Sequence, residues 1–152
     1  IVYGHFGLGS VPYYVSKNSI KIMFFRDPID WLGSYLYYAE SKFNLKITDL
    51  PRFANERNIY DAYQTFLGRF SVEDLDLVCL FEHLESSVGR INQLLGSNLR
   101  LEKLNVTNRP MNSYADLLDR RFGSADVESV TANNAKIYEE ACSRYGMESS
   151  DV

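Results

Sequence analysis

The run Lys21-Ile22-Met23-Phe24-Phe25 stops abruptly at Arg26-Asp27-Pro28, and this junction constrains the fold more than any other stretch of the chain. Its bulky apolar residues suit a strand buried on both faces, as in a parallel sheet. The chain then switches at once to helical chemistry. Asp27 is a good N-cap, Pro28 fits the first helical position, and Asp30 adds negative charge to the first turn. Leu32, Tyr35, Leu36, Ala39 and Phe43 follow at helical spacing, which predicts a helix over 28–42.

The rest of the chain continues the alternation. A short helix is predicted near Thr48, with Thr48 as its cap and Pro51 in its first turn. Tyr63, Phe66, Leu67 and Phe70 keep the i, i+3, i+4, i+7 spacing and predict a helix over 60–70. Leu77-Val78-Cys79-Leu80-Phe81 reads as a second buried strand. Leu84, Val88, Ile91 and Leu95 then form one apolar stripe that Gly96 can end. Residues 97–113 read as extended or loop, with Arg109-Pro110 as a breaker. Helices are predicted over 114–121 and 126–145, the last with Ile137, Tyr138, Ala141 and Tyr145 on one face and Gly146 at its end. Strand, helices, strand, helices is an α/β order.

A chain of 152 residues that is 45% hydrophobic has the material for one domain with a real core, so a disordered or low-complexity segment is excluded. Its 20 acidic against 16 basic residues argue against a general nucleic-acid binder but leave room for a local basic pocket. No run approaches the ~18 apolar residues of a membrane span. Cys79 and Cys142 are too few for a disulfide scaffold, and Cys79 reads as a small buried hydrophobe. Only Cys79 and His83 lie close enough to suggest a metal, and no second ligand pair accompanies them. The opening Ile1-Val2-Tyr3 reads like the interior of a domain, and no signal peptide is visible.

Arg26 ends a strand and precedes a helix N-terminus, where free N–H groups and the helix dipole favour an anion. Its planar fork matches phosphate oxygens. Ser34, eight residues on, offers a hydroxyl on the side of Asp30, Tyr37 and Ser41, off the apolar stripe. The competing reading pairs Arg26 with Asp27 or Asp30 and leaves Ser34 as a surface residue. His5, flanked by Gly4 and Gly7, is either a base near neutral pH or a capping or core histidine. Gly7-Leu8-Gly9-Ser10-Val11-Pro12 breaks the dinucleotide fingerprint at its third glycine, and no Gly-Lys-Ser/Thr phosphate loop exists.

Taken together, Gly4-His5-Phe6, a short strand, Arg26-Asp27-Pro28 and then Ser34 resemble the sulfotransferase superfamily, and most closely its carbohydrate branch with the heparan sulfate 2-O-sulfotransferases. The likeness continues in Leu77-Val78-Cys79-Leu80-Phe81-Glu82-His83, Leu84-Glu85-Ser86-Ser87, Leu104-Asn105-Val106-Thr107 and Asn134-Ala135-Lys136-Ile137-Tyr138. It implies a P-loop-like, three-layer nucleotide-binding α/β fold with a parallel sheet. It implies 3'-phosphoadenosine-5'-phosphosulfate as donor, with Arg26 and Ser34 on the 3'-phosphate and His5 as catalytic base. The acceptor is then a hydroxyl, on a carbohydrate, and no metal is needed. Lys103, Thr107 and Arg109 are candidate nucleotide contacts in a segment that otherwise reads as a solvated loop. Asn105-Val106-Thr107 is also a glycosylation sequon. Tyr35, Tyr63 and Phe66 are expected in the core, and Tyr37 and Tyr38 are candidates for an acceptor groove.

The chain departs from that pattern in three places. Trp31 stands where many relatives carry a basic residue, which is expected to weaken packing or charge near the cofactor. Asn134 stands where the family has Asp. The Pro-Lys-Thr-like loop that cradles the 5'-phosphosulfate is expected before Ile1, so residues 1–152 read as the C-terminal portion of a single sulfotransferase-like domain, incomplete at its N-terminus. Two rival readings are a nucleotide-dependent phosphoryl transferase and an interaction module that kept the fold without the chemistry. Short connections and few cysteines point to a bacterial cytoplasmic protein, whereas animal relatives work in the Golgi lumen.

Overall fold

A computed structural model describes residues 19–100 and 114–146. Two short strands, β1 (Ile22–Phe25) and β2 (Leu77–Leu80), pair in parallel, with Ile22 opposite Leu77 and Phe25 opposite Leu80. Between them run α1 (Pro28–Phe43), α2 (Leu50–Glu56) and α3 (Ala62–Leu67); after β2 come α4 (Leu84–Leu95), α5 (Tyr114–Phe122) and α6 (Ser124–Tyr145). The described residues are thus mixed α and β, mostly helical, around a small parallel sheet.

Register is fixed at the start of both strands. The Lys21 N–H donates to Asp76 Oδ2 at 2.7 Å, and the Asp76 N–H donates back to the Lys21 carbonyl at 2.9 Å. Helices cover both faces of the sheet. On one face Phe25, Val78 and Leu80 pack with Tyr63 and Leu67 of α3 and with Tyr138, Ala141 and Cys142 of α6. On the other, Leu77 and Cys79 meet Ile91 of α4. Cys79 is fully buried, and that burial raises its thiol to about 11, so it behaves as the expected small hydrophobe. Ser87 of α4 completes the last residue of β2: its Oγ accepts from the Leu80 N–H and donates to the Leu80 carbonyl, each at 3.1 Å. A second core joins Leu32, Leu36 and Ala39 of α1 to Leu50, Phe53 and Ala54 of α2, with Leu118, Val127 and Val130 from α5 and α6. Gly33 of α1 lets α5 close in, because a Cβ there would stand 2.3 Å from Cδ1 of Tyr114.

The predicted helices occur, with corrections at their ends. Asp27 caps α1, Pro28 opens it, and Gly96 and Gly146 end α4 and α6 in left-handed conformations. The cap of α2 is Asp49 rather than Thr48, with the Asp49 carboxylate accepting from the Arg52 N–H at 2.9 Å. The helix expected over 60–70 is only Ala62–Leu67, because Gly68 turns to φ 64° and ends it. The strands start at Ile22 and end at Leu80, one residue inside each prediction.

Glu40 ties α1 to α5 and to the loop between α1 and α2. Its carboxylate accepts from the Ile47 N–H at 3.0 Å and from the Arg121 guanidinium, which also donates to the Ile47 carbonyl. The Arg121 hydrogen bond is the main reason that Glu40 sits below the usual carboxylate range. A folded-state pKa below the unfolded one contributes stability above the unfolded value, about 4.5, and that contribution is lost as pH falls through the depressed one. Glu40→Gln is therefore expected to flatten the fall in stability below about pH 4.5, measured as urea midpoints against pH. A variant as acid-sensitive as the parent would show that other carboxylates carry the effect.

Candidate functional site

The carboxyl ends of the two strands meet, which is where ligands bind in open parallel α/β sheets. With Phe25 opposite Leu80, Arg26 and Asp27 leave β1 beside Phe81 and Glu82 leaving β2. The Arg26 side chain is only 15% exposed. Its Nη1 donates to Ser34 Oγ at 2.7 Å. Its Nη2 is buried, makes no hydrogen bond, and forms an ion pair with Asp30 Oδ2 at 3.5 Å. The Phe81 ring faces the guanidinium at 5.5 Å. Of the competing reading, the pairing of Arg26 with Asp30 is present, whereas Ser34 is half-buried and hydrogen-bonded to Arg26 rather than a free surface residue.

The peptide group joining Arg26 to Asp27 is held from both sides. Its carbonyl accepts from the Tyr63 hydroxyl, and its N–H donates to Glu82 Oε1 at 2.9 Å. Burial pushes the Tyr63 phenol far above its ordinary range, so it stays a donor at any working pH. The other Glu82 oxygen accepts from the Tyr138 hydroxyl of α6 at 3.3 Å. Burial, and then the Glu82 charge, push that phenol up as well. Groups from α3, α6 and the end of β2 therefore fix the backbone from which Arg26 projects, which limits where its guanidinium can point.

The free helix amides expected at this N-terminus are already taken. Asp27 Oδ1 accepts from the N–H of Ile29 at 3.0 Å and of Asp30 at 2.9 Å. The cap that starts the helix consumes the donors an incoming anion would use. Arg26 Nη2 makes no hydrogen bond, and Ser34 Oγ, which accepts from Arg26 Nη1, keeps its hydroxyl proton to donate.

His5, Lys103, Thr107 and Arg109 lie outside the described residues, so the site comprises Arg26 and Ser34 of the six residues singled out from sequence. Tyr63 is in the core as expected, while Tyr35 and Phe66 pack half-buried against it. Tyr37 and Tyr38 are 59% and 54% exposed on α1. Asp30 sits on the guanidinium, as the competing reading allows, and two residues with no site role assigned from sequence join on its backbone: Glu82 and Tyr63. Glu82 carried a readable signal, as the second residue past a strand that parallels β1. Tyr63 carried none, because a core tyrosine does not advertise where its hydroxyl ends.

Among the described residues no group of three or more His, Cys, Asp or Glu side chains is placed to hold a metal ion, and no helix is long and apolar enough to cross a membrane. No family model, curated protein or solved structure matches this chain.

Proposed function

We propose that this chain belongs to a sulfotransferase that moves a sulfuryl group from 3'-phosphoadenosine-5'-phosphosulfate to a hydroxyl acceptor, a carbohydrate, on a P-loop-like three-layer scaffold. Arg26 and Ser34 hold the 3'-phosphate. The acceptor oxygen attacks sulfur as its proton passes to His5, and the bond from sulfur to the 5'-phosphate oxygen breaks, releasing 3'-phosphoadenosine-5'-phosphate. Arg26 and Ser34 position the donor and take no part in the bond changes. Lys103, Thr107 and Arg109 are the next contacts to the nucleotide. The Arg26 and His5 assignments rest on resemblance in sequence. One structural observation supports the first of them. Arg26 reaches Ser34 at 2.7 Å at the carboxyl ends of parallel strands, while its second terminal nitrogen is buried with no hydrogen bond.

Calorimetric titration with 3'-phosphoadenosine-5'-phosphate, and with adenosine 5'-phosphate as the ligand lacking the 3'-phosphate, tests this. The bisphosphate is expected to bind more tightly, to weaken with salt, and to lose roughly 10- to 100-fold in affinity in Arg26→Ala, the worth of a charge-assisted hydrogen bond. Equal affinity for the two nucleotides, or for the variant and the parent, would remove Arg26 as a phosphate ligand and the sulfotransferase reading with it.

A further inference from the structure

We infer that Asp30 is an internal counter-ion that occupies the phosphate edge of Arg26 and must be displaced when a phosphate binds. The inference rests on the proposed function, since it concerns the same 3'-phosphate position. Three carboxylates lie at this junction; one of them, Asp30, pairs with the guanidinium, and the other two are tied elsewhere. Asp27 is held by the N–H groups of Ile29 and Asp30, and Glu82 by the Asp27 N–H and the Tyr138 hydroxyl. The Asp30 carboxylate is engaged by Arg26 alone among the described residues, at 3.5 Å, longer than a hydrogen bond. Its side chain is 34% exposed against 15% for Arg26, so it can turn to water while the guanidinium stays in place.

The geometry leaves a phosphate few other approaches. Ser34 takes Nη1, and the Phe81 ring lies against one face of the guanidinium. The edge without a hydrogen bond is Nη2, which is buried, and Asp30 stands on it. A carboxylate next to a phosphate dianion in a partly buried site is strongly repulsive, so one of them must leave. Asp30 thus keeps the buried arginine neutralised while the site is empty. It also sets a threshold that a dianionic phosphate passes and a weaker anion does not, which makes it a specificity-determining residue rather than a ligand.

The test is calorimetric titration of wild type, Asp30→Asn and Asp30→Glu with 3'-phosphoadenosine-5'-phosphate and with adenosine 5'-phosphate. Asp30→Asn is expected to bind the bisphosphate roughly five- to tenfold more tightly, with affinity for adenosine 5'-phosphate unchanged and Asp30→Glu close to wild type. If wild type binds the bisphosphate and Asp30→Asn binds it equally or less tightly, Asp30 is no counter-ion and the proposed function stands. If Asp30→Asn tightens both nucleotides alike, the effect is not at the 3'-phosphate and the inference fails. If no variant binds the bisphosphate, the proposed function fails and takes the inference with it. Far-ultraviolet circular dichroism of each variant excludes loss of the fold as the cause of weaker binding.

Discussion

Asn134→Ala is expected to destabilise the fold by roughly 2–4 kcal/mol, the cost of leaving a buried donor without its partner and a small void beside it. Asn134 of α6 is 1% exposed. Its Oδ1 accepts from the Tyr63 N–H at 3.0 Å, and its Nδ2 donates to the Ile59 carbonyl at 2.8 Å. The two losses are unequal. The Ile59 carbonyl keeps the Ala62 N–H at 3.2 Å, whereas the Tyr63 N–H in the first turn of α3 has Asn134 as its acceptor. The orphaned amide therefore carries most of the cost. The same geometry accounts for an amide rather than an acid at this position. An aspartate would accept from Tyr63 equally well but would set a second acceptor against the Ile59 carbonyl, so Asn134→Asp is also expected to destabilise at neutral pH. Urea unfolding measures both variants, and a thermal midpoint falls by about 2–4 °C per kcal/mol in a chain of this size. A loss under ~0.5 kcal/mol in Asn134→Ala would mean that water replaces the side chain.

What the sequence made readable was local. The Phe25-Arg26-Asp27-Pro28 junction carries its own instructions for strand end, cap and helix start, and the structure follows them residue by residue. Arg26 and Ser34 come together because one helix holds both, eight residues apart. Sequence and structure part where two local signals compete. Thr48 and Asp49 can both cap a helix, and burial of Leu50, Phe53 and Ala54 on one face decides for Asp49. Asp27 can cap the helix or leave its first amides free for an anion, and it caps. The pairings that sequence left hidden cross long stretches of chain. Glu82 reaches Asp27 over 55 residues, Asn134 reaches Tyr63 over 71, and Arg144 holds the carbonyls of Val72 and Leu75. No spacing rule connects such partners; only the packing of α3 and α6 against the sheet brings them together.

Trp31→Ala is expected to cost about 3 kcal/mol, toward the lower end for a large aromatic because the ring is only partly buried. The resemblance led to the opposite expectation, that a tryptophan in a position often basic would loosen the site. Trp31 instead packs against both principal cores. Its ring stacks on Tyr35 at 5.6 Å and meets Tyr63 edge-on at 6.0 Å. Tyr63 in turn holds the Arg26 carbonyl, so the indole supports the Arg26 backbone through one intervening ring. An arginine here would cover part of that surface with its stem but would set a guanidinium between two apolar clusters. Trp31→Phe keeps an aromatic face toward Tyr35 and Tyr63, and about two-thirds of the loss is expected to return. Unfolding followed by circular dichroism gives the energies. Trp31 is also the chain's one tryptophan, so its emission in the unmutated protein reports on this junction directly. A loss below ~1 kcal/mol in Trp31→Ala would show that the two cores hold together without the indole. If the full loss is accompanied by weaker binding of 3'-phosphoadenosine-5'-phosphate, and Trp31→Phe restores both, then packing between the cores and the aim of Arg26 are one property, joined through Tyr63.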